Sequence, residues 1–171
     1  MRMVLGASIS RNLDHALADV VGESQLRPDE IDRIRRELLP LDVAIWHALF
    51  TNHLGVRTAE DAQELSRKFG IALRFAMHDK GWTEEAAEAT AERFLSYLEA
   101  LESQSEPQLE REGPILSYCH EFTKRVLPSP NPRNEADRDR HLQVFDLAKQ
   151  NYVAQQQAFD GFLGEYRIVN D

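Results

Sequence analysis

Apolar side chains recur at intervals of three and four residues along almost the whole of this 171-residue chain. In an α-helix of 3.6 residues per turn, such spacing places the apolar side chains on one face. The clearest run lies near the C-terminus, where aromatic residues follow one another at intervals of seven: Phe145, Tyr152, Phe159 and Tyr166. No segment combines alternating apolar residues with hairpin-turn residues, so the pattern predicts an all-α fold.

Helix start and stop signals divide this pattern into six or seven helices. The predicted helices begin near Ser10, Pro28, Leu41, Thr58, Thr83, Gly113 and Asn134. Serine, threonine and asparagine favour helix starts and glycine favours helix ends, so Gly55 and Gly81 are expected to close two of them. Pro40 is expected to end or bend another helix.

A single compact domain over residues 1–171 follows from this reading. Three prolines predict an extended loop over residues 127–133, and a long C-terminal helix follows the loop. Short connectors favour mostly antiparallel neighbours in the bundle. The broadest apolar faces predict these core members: Trp46, Leu49, Phe50, Leu65, Phe69, Leu73, Phe94 and Leu98.

The net charge of −9 is concentrated in one segment, because residues 82–112 hold nine glutamates and only two arginines. Phosphate binding needs an excess of Lys and Arg on one face, so neither a nucleic acid nor an anionic membrane is expected as a partner. We instead predict a surface for a basic protein partner at Glu88, Glu92 and Glu99. The simpler interpretation is a solvated helix face.

Cysteine content and the absence of long apolar runs predict a cytoplasmic protein. Cys119 is the only cysteine, so no intramolecular disulfide can form. The apolar run in residues 1–7 is too short for a signal peptide, and no stretch approaches the roughly 20 apolar residues of a membrane span. Cys119 lies on the apolar face of its predicted helix, which favours a place in the core.

The aromatic stripe of the C-terminal helix has two interpretations. Its members are flanked by glutamines such as Gln156. In the simpler interpretation, the stripe packs along a narrow seam on the bundle. In the other, Phe145, Tyr152, Gln156 and Phe159 form a partner-binding surface or a homodimer interface, because narrow seams of this kind suit reversible helix pairing.

A second candidate site is the pair His78-Asp79, which follows an apolar run. The pair resembles the histidine–aspartate dyad of the HD metal-dependent phosphohydrolases, and the resemblance implies a divalent metal that activates water. His53 would be a further ligand, since imidazole and carboxylate suit such a metal. This family usually continues its dyad with an apolar residue and a glycine, whereas Lys80 stands before Gly81 here.

Asp137 and His141 are one helical turn apart, a spacing at which two side chains can share a metal. An ordinary surface carboxylate–imidazole pair is the simpler interpretation. No Glu-x-x-His sequence, phosphate-binding glycine loop or nucleophile elbow occurs. We therefore predict a non-catalytic helical interaction module, such as an adaptor, regulator, chaperone-like or immunity-type protein, with no cofactor. An HD-like phosphohydrolase is the alternative, and a small apolar ligand held between helices is a third.

Overall fold

The computed structural model describes residues 26–56, 58–102, 106–128, 131 and 133–165. These residues form five helices: α1 (Pro28–Leu54), α2 (Ala59–Asp79), α3 (Glu84–Glu102), α4 (Glu106–Val126) and α5 (Glu135–Glu165). Over the described ranges no residue is in a strand, so the predicted all-helical fold is confirmed. Within the same ranges, no helix has an apolar stretch long enough to cross a bilayer.

The predicted count of six or seven helices is not matched. The two helices predicted on either side of Pro40 are the single helix α1, with the proline inside it. A proline in a helix interior costs about 3 kcal/mol. Residues 38–47 are all buried, and each large apolar side chain among them gains roughly 1.5–3 kcal/mol from burial. Packing therefore keeps α1 continuous through Pro40.

Other differences lie at the edges of the elements. α4 begins at Glu106, so Gly113 and Pro114 lie inside the helix that they were expected to start. The first predicted helix, near residues 10–21, and Tyr166 of the aromatic stripe lie outside the described residues.

Local capping sets most of the remaining boundaries as the sequence predicts. Gly55 and Gly81 have positive φ angles of 62° and 81°, which glycine adopts without strain. Thr58 Oγ1 accepts a hydrogen bond of 3.1 Å from the backbone N–H of Asp61. Thr83 and Asn134 accept equivalent bonds from Ala86 (3.2 Å) and Ala136 (3.0 Å). Each cap satisfies an N–H that the first helical turn leaves unpaired.

The core is one continuous cluster, and α1 contacts each of the other four helices. At one end, the rings of Trp46 and Phe50 pack against Phe159, with centroids 5.3 and 5.1 Å away. Of the predicted core members, two are partly buried and the others are fully buried. The partly buried residues are Leu49 and Leu98, and the buried ones are Trp46, Phe50, Leu65, Phe69, Leu73 and Phe94.

Two buried hydrogen bonds, one turn apart, join α1 to α5. Asn151 Nδ2 donates to Asp42 Oδ1 at 2.6 Å, and Trp46 Nε1 donates to Gln155 Oε1 at 2.7 Å. The second bond lies four residues after the first on α1 and also four residues after the first on α5. The two helices therefore run parallel here. Buried polar pairs of this kind fix the register of two helices, since any slip would leave the groups unpaired.

Candidate functional site

The candidate metal ligands do not converge. His53 is the second-last residue of α1, and His78 is the second-last residue of α2. α2 starts beside the end of α1 and is 21 residues long, so its rise of about 1.5 Å per residue carries His78 and Asp79 about 30 Å away. In the described part of the chain, no group of three or more His, Cys, Asp or Glu side chains is placed to hold a metal ion.

Asp137 and His141 lie near the start of α5, beside the first turn of α1, where Arg140 approaches the buried Glu30 at 3.9 Å. Asp137 accepts a hydrogen bond of 3.0 Å from the backbone N–H of Asn131 and pairs with Arg140. Its carboxylate thus ties the preceding loop to α5. His53 lies at the opposite end of α1, so Asp137 and His141 are too far from it to bind the same metal ion.

A buried histidine and a serine form a pair that resembles part of a catalytic arrangement. His47 Nε2 lies 3.0 Å from Ser66 Oγ, and the hydroxyl donates its hydrogen to Ala62 O at 2.8 Å. With the serine hydrogen on Ala62 O, the imidazole donates to the serine oxygen from Nε2, and in the other tautomer Nε2 accepts the serine hydrogen. In either tautomer the pair joins α1 to α2.

Burial lowers the pKa of His47 to about 4, because the charged imidazolium would lose its hydration among Phe69 and Phe94. The unfolded chain has a histidine pKa near 6.5 and takes up the proton first as the pH falls. The stability linked to His47 is present above pH 6.5 and is lost as the pH falls towards 4. Between pH 7.5 and pH 5.0, the loss should be about 2 kcal/mol.

Urea unfolding at these two pH values tests whether His47 causes this loss of stability. The pH-dependent loss of stability should be about 2 kcal/mol smaller in His47→Gln than in the wild type, because glutamine does not titrate. The matched control is His53→Gln, since His53 is exposed. If His47→Gln and the wild type lose the same stability between the two pH values, His47 is not its cause.

The aromatic stripe faces inward over the described part of α5. Tyr152 and Phe159 are buried. The ring centroid of Tyr152 lies 5.8 Å from that of Tyr118, and the ring of Phe159 packs against Trp46. Phe145 is partly buried, and its ring lies 5.0 Å from His120 of α4. Gln156 is exposed. The aromatic side of α5 is thus covered largely by the protein's own core.

The acidic candidates lie on the outward side of α3. Glu92 and Glu99 are exposed, and Glu88 is half-buried in an ion pair of 2.9 Å with Arg74 of α2. Leu95 lies between them in sequence and is 39% exposed. The outward side of α3 therefore combines carboxylates with an exposed leucine.

Sequence reasoning missed the exposed apolar residues of α2 and of the connector between α2 and α3. Phe75 is 51% exposed, Trp82 is 41% exposed and Ile71 is 39% exposed. Ile71 and Phe75 line a cavity of about 450 Å³ with Arg74, His78 and Glu84. We call the outward residues of these two helices and their connector the α2–α3 surface: Ile71, Phe75, Trp82, Glu84, Glu88, Glu92, Leu95 and Glu99. A helical-wheel plot could have found it, because Ile71 and Phe75 lie off the buried stripe of α2.

A charged cluster at the junction of α1, α3 and α4 is also absent from the sequence prediction. Arg125 Nε bonds Glu121 at 2.8 Å, and its other nitrogens reach Ser96 Oγ and O at 2.8 and 3.0 Å. Its guanidinium lies 3.9 Å from the ring centre of Tyr97 and 3.9 Å from Glu37. Burial, followed by the nearby Glu37 carboxylate, raises the pKa of Tyr97. The cluster holds three helices together, and within the described residues two of its buried atoms, Glu37 Oε2 and the Tyr97 hydroxyl oxygen, have no hydrogen-bond partner.

A second charged cluster surrounds the start of α1 and lines a cavity of about 340 Å³. The fully buried Glu30 is held by Arg27 at 2.8 Å, and Arg33 donates to Val126 O at 3.0 Å. Three arginines and two carboxylates line this cavity, and Asp29 pairs with Arg27 and Arg33 from outside the lining. Its bonds hold the start of α1 to the end of α4.

Cys119 occupies the core, as its helix face predicts. Burial raises the pKa of its thiol to about 11, so the thiol stays protonated at neutral pH. Comparisons of the chain with protein-family models, curated proteins and solved structures found no match.

Proposed function

We propose that the protein is a non-catalytic interaction module, of the adaptor, regulator, chaperone-like or immunity type, and that it acts in the cytoplasm. The observation that carries the proposal is the α2–α3 surface, where exposed apolar side chains adjoin exposed carboxylates. Contiguous apolar surface rimmed by polar groups is typical of a protein-binding site. The acidic rim favours a basic partner, because complementary charge speeds encounter and fixes orientation.

Three members of the surface have the properties of binding anchors. Phe75 and Trp82 are aromatic, and aromatic side chains carry much of the energy of protein interfaces. Ile71 lies one turn before Phe75 on α2, so the two side chains can enter one groove of a partner. The glutamates of α3 would then surround the apolar contact and face basic side chains.

Photo-crosslinking in the native host tests the proposal. A photoreactive phenylalanine analogue at position 75 should give a crosslinked species of defined mass. The same analogue at Gln63, an exposed residue of the same helix, should not give that species. The yield at position 75 should fall in a Glu92→Lys/Glu99→Lys variant, because the charge of the rim is reversed, while Glu60→Lys serves as the control. No adduct at position 75, or the same adduct at both positions, would contradict the proposal.

Self-association through the C-terminal helix is also a proposal. Tyr152 and Phe159 already pack against the core, so a homodimer would have to use the outward face of α5. That face is separate from the α2–α3 surface.

A further inference from the structure

The outward face of α5 has an exposed strip that the described residues leave uncovered. Leu142 is 58% exposed and Val153 is 41% exposed, and both are large apolar residues. They are eleven residues apart, close to three full turns, so they lie on the same side of the helix. Asp146 and Lys149 lie between them on this side and, with Val153, line a shallow groove.

The strip is self-complementary when two copies of α5 run antiparallel. Leu142 and Val153 lie at equal distances from the midpoint between residues 147 and 148, and so do Asp146 and Lys149. A twofold axis at that midpoint would place Leu142 opposite the partner's Val153, and Asp146 opposite the partner's Lys149. Twofold symmetry repeats each contact, so the interface has two apolar contacts and two opposite-charge contacts.

The charges on this strip are available for such contacts. Among the described residues, neither Asp146 nor Lys149 takes part in an ion pair within the chain. In the same register, Glu135 would face the partner's Asp160 about 19 Å from the axis. Helices that cross at an angle diverge at this distance, so the repulsion there is weakened.

We propose that the outward face of α5 binds a second copy of this chain, as an antiparallel pair centred between residues 147 and 148. The interface involves one helix face per chain, which places it at the small end of interface areas, below about 1,200 Å². The dimer is therefore weak and reversible. It leaves the α2–α3 surface of both copies open, and it does not depend on the function proposed for that surface.

Sedimentation equilibrium of the full chain gives the first test. The average mass should rise from 19.6 kDa towards twice that value as the protein is concentrated. Asp146→Lys and Lys149→Asp should each weaken association about tenfold or more, because each places like charges opposite one another twice. The double variant Asp146→Lys/Lys149→Asp should associate as the wild type does, because opposite charges again face one another.

Pairwise cysteine crosslinking reads the register directly. Leu142→Cys chains mixed with Val153→Cys chains should form a disulfide-linked dimer under mild oxidation, whereas either variant alone should not. In the antiparallel register, two copies of the same position lie about 16 Å apart along the helices. Native Cys119 is fully buried and does not compete.

Either of two results would overturn the proposal. One is a mass that stays at 19.6 kDa at millimolar concentration, which would mean that no second copy binds. The other is a dimer in which the mixed pair does not crosslink or the single variants crosslink as well, which would place the interface elsewhere.

Discussion

Phe69→Ala should lower the free energy of unfolding by about 3–5 kcal/mol. The side chain is 1% exposed and lies where α1, α2 and α3 meet. Its ring is 5.6 Å from that of Phe50, 5.3 Å from the His47 imidazole and 6.4 Å from the Phe94 ring. Alanine would leave a cavity among rings that cannot close around it, so the lost contacts add to the lost burial.

Chemical denaturation monitored by circular dichroism measures this loss. Phe75→Ala is the matched control, because it removes the same side chain from the same helix at a position that is 51% exposed. Its effect should be smaller, about 1 kcal/mol, because half of the side chain is already in water. Equal losses of stability in the two variants, or a loss below about 1 kcal/mol in Phe69→Ala, would contradict the buried position of Phe69.

Arg125→Met should cost about 3 kcal/mol, because a largely buried charge cluster loses its cation while the aliphatic packing is kept. Glu121 and Glu37, which are 12% and 13% exposed, both lose the guanidinium. Among the described residues, Glu37 then keeps the ion pair with Arg93, at 3.5 Å. The stacking of the guanidinium on the Tyr97 ring is also lost.

Arg74→Met is the control for Arg125→Met. Arg74 and Glu88 are each 43% exposed, and such surface pairs contribute at most about 1 kcal/mol. A double-mutant cycle adds a second check. The Glu37→Gln/Arg125→Met variant should be less destabilised than the sum of the two single variants, because no charge is then left at position 37. Additive losses would show that Arg125 does not act through Glu37.

The candidate site could be predicted only in part. The acidic stretch is visible in the composition, and the three glutamates chosen from it lie on the outward side of α3 or at its edge. The exposed aromatic residues Phe75 and Trp82 were missed, because the periodic pattern identifies the buried stripe, and an apolar residue off that stripe is seen only when all faces of the helix are plotted. The aromatic stripe of α5 was found, and over the described residues it faces the core.

The metal-site hypothesis shows what residue type and spacing leave undecided. His53, His78 and Asp79 have chemistry that suits a metal, but convergence depends on the lengths and directions of α1 and α2. Because α2 runs its full 21 residues away from the end of α1, the histidines are carried apart.

The sequence by itself determined where several helices begin and end and which of their faces are apolar. These features depend on interactions within one or two turns, such as the cap at Thr58 and the positive φ of Gly55. Tertiary structure alone decided that Pro40 lies inside a continuous helix and that Asp42 meets Asn151. These outcomes depend on burial and on contacts between residues more than a hundred positions apart, whose energies exceed local preferences and leave no periodic trace in the chain.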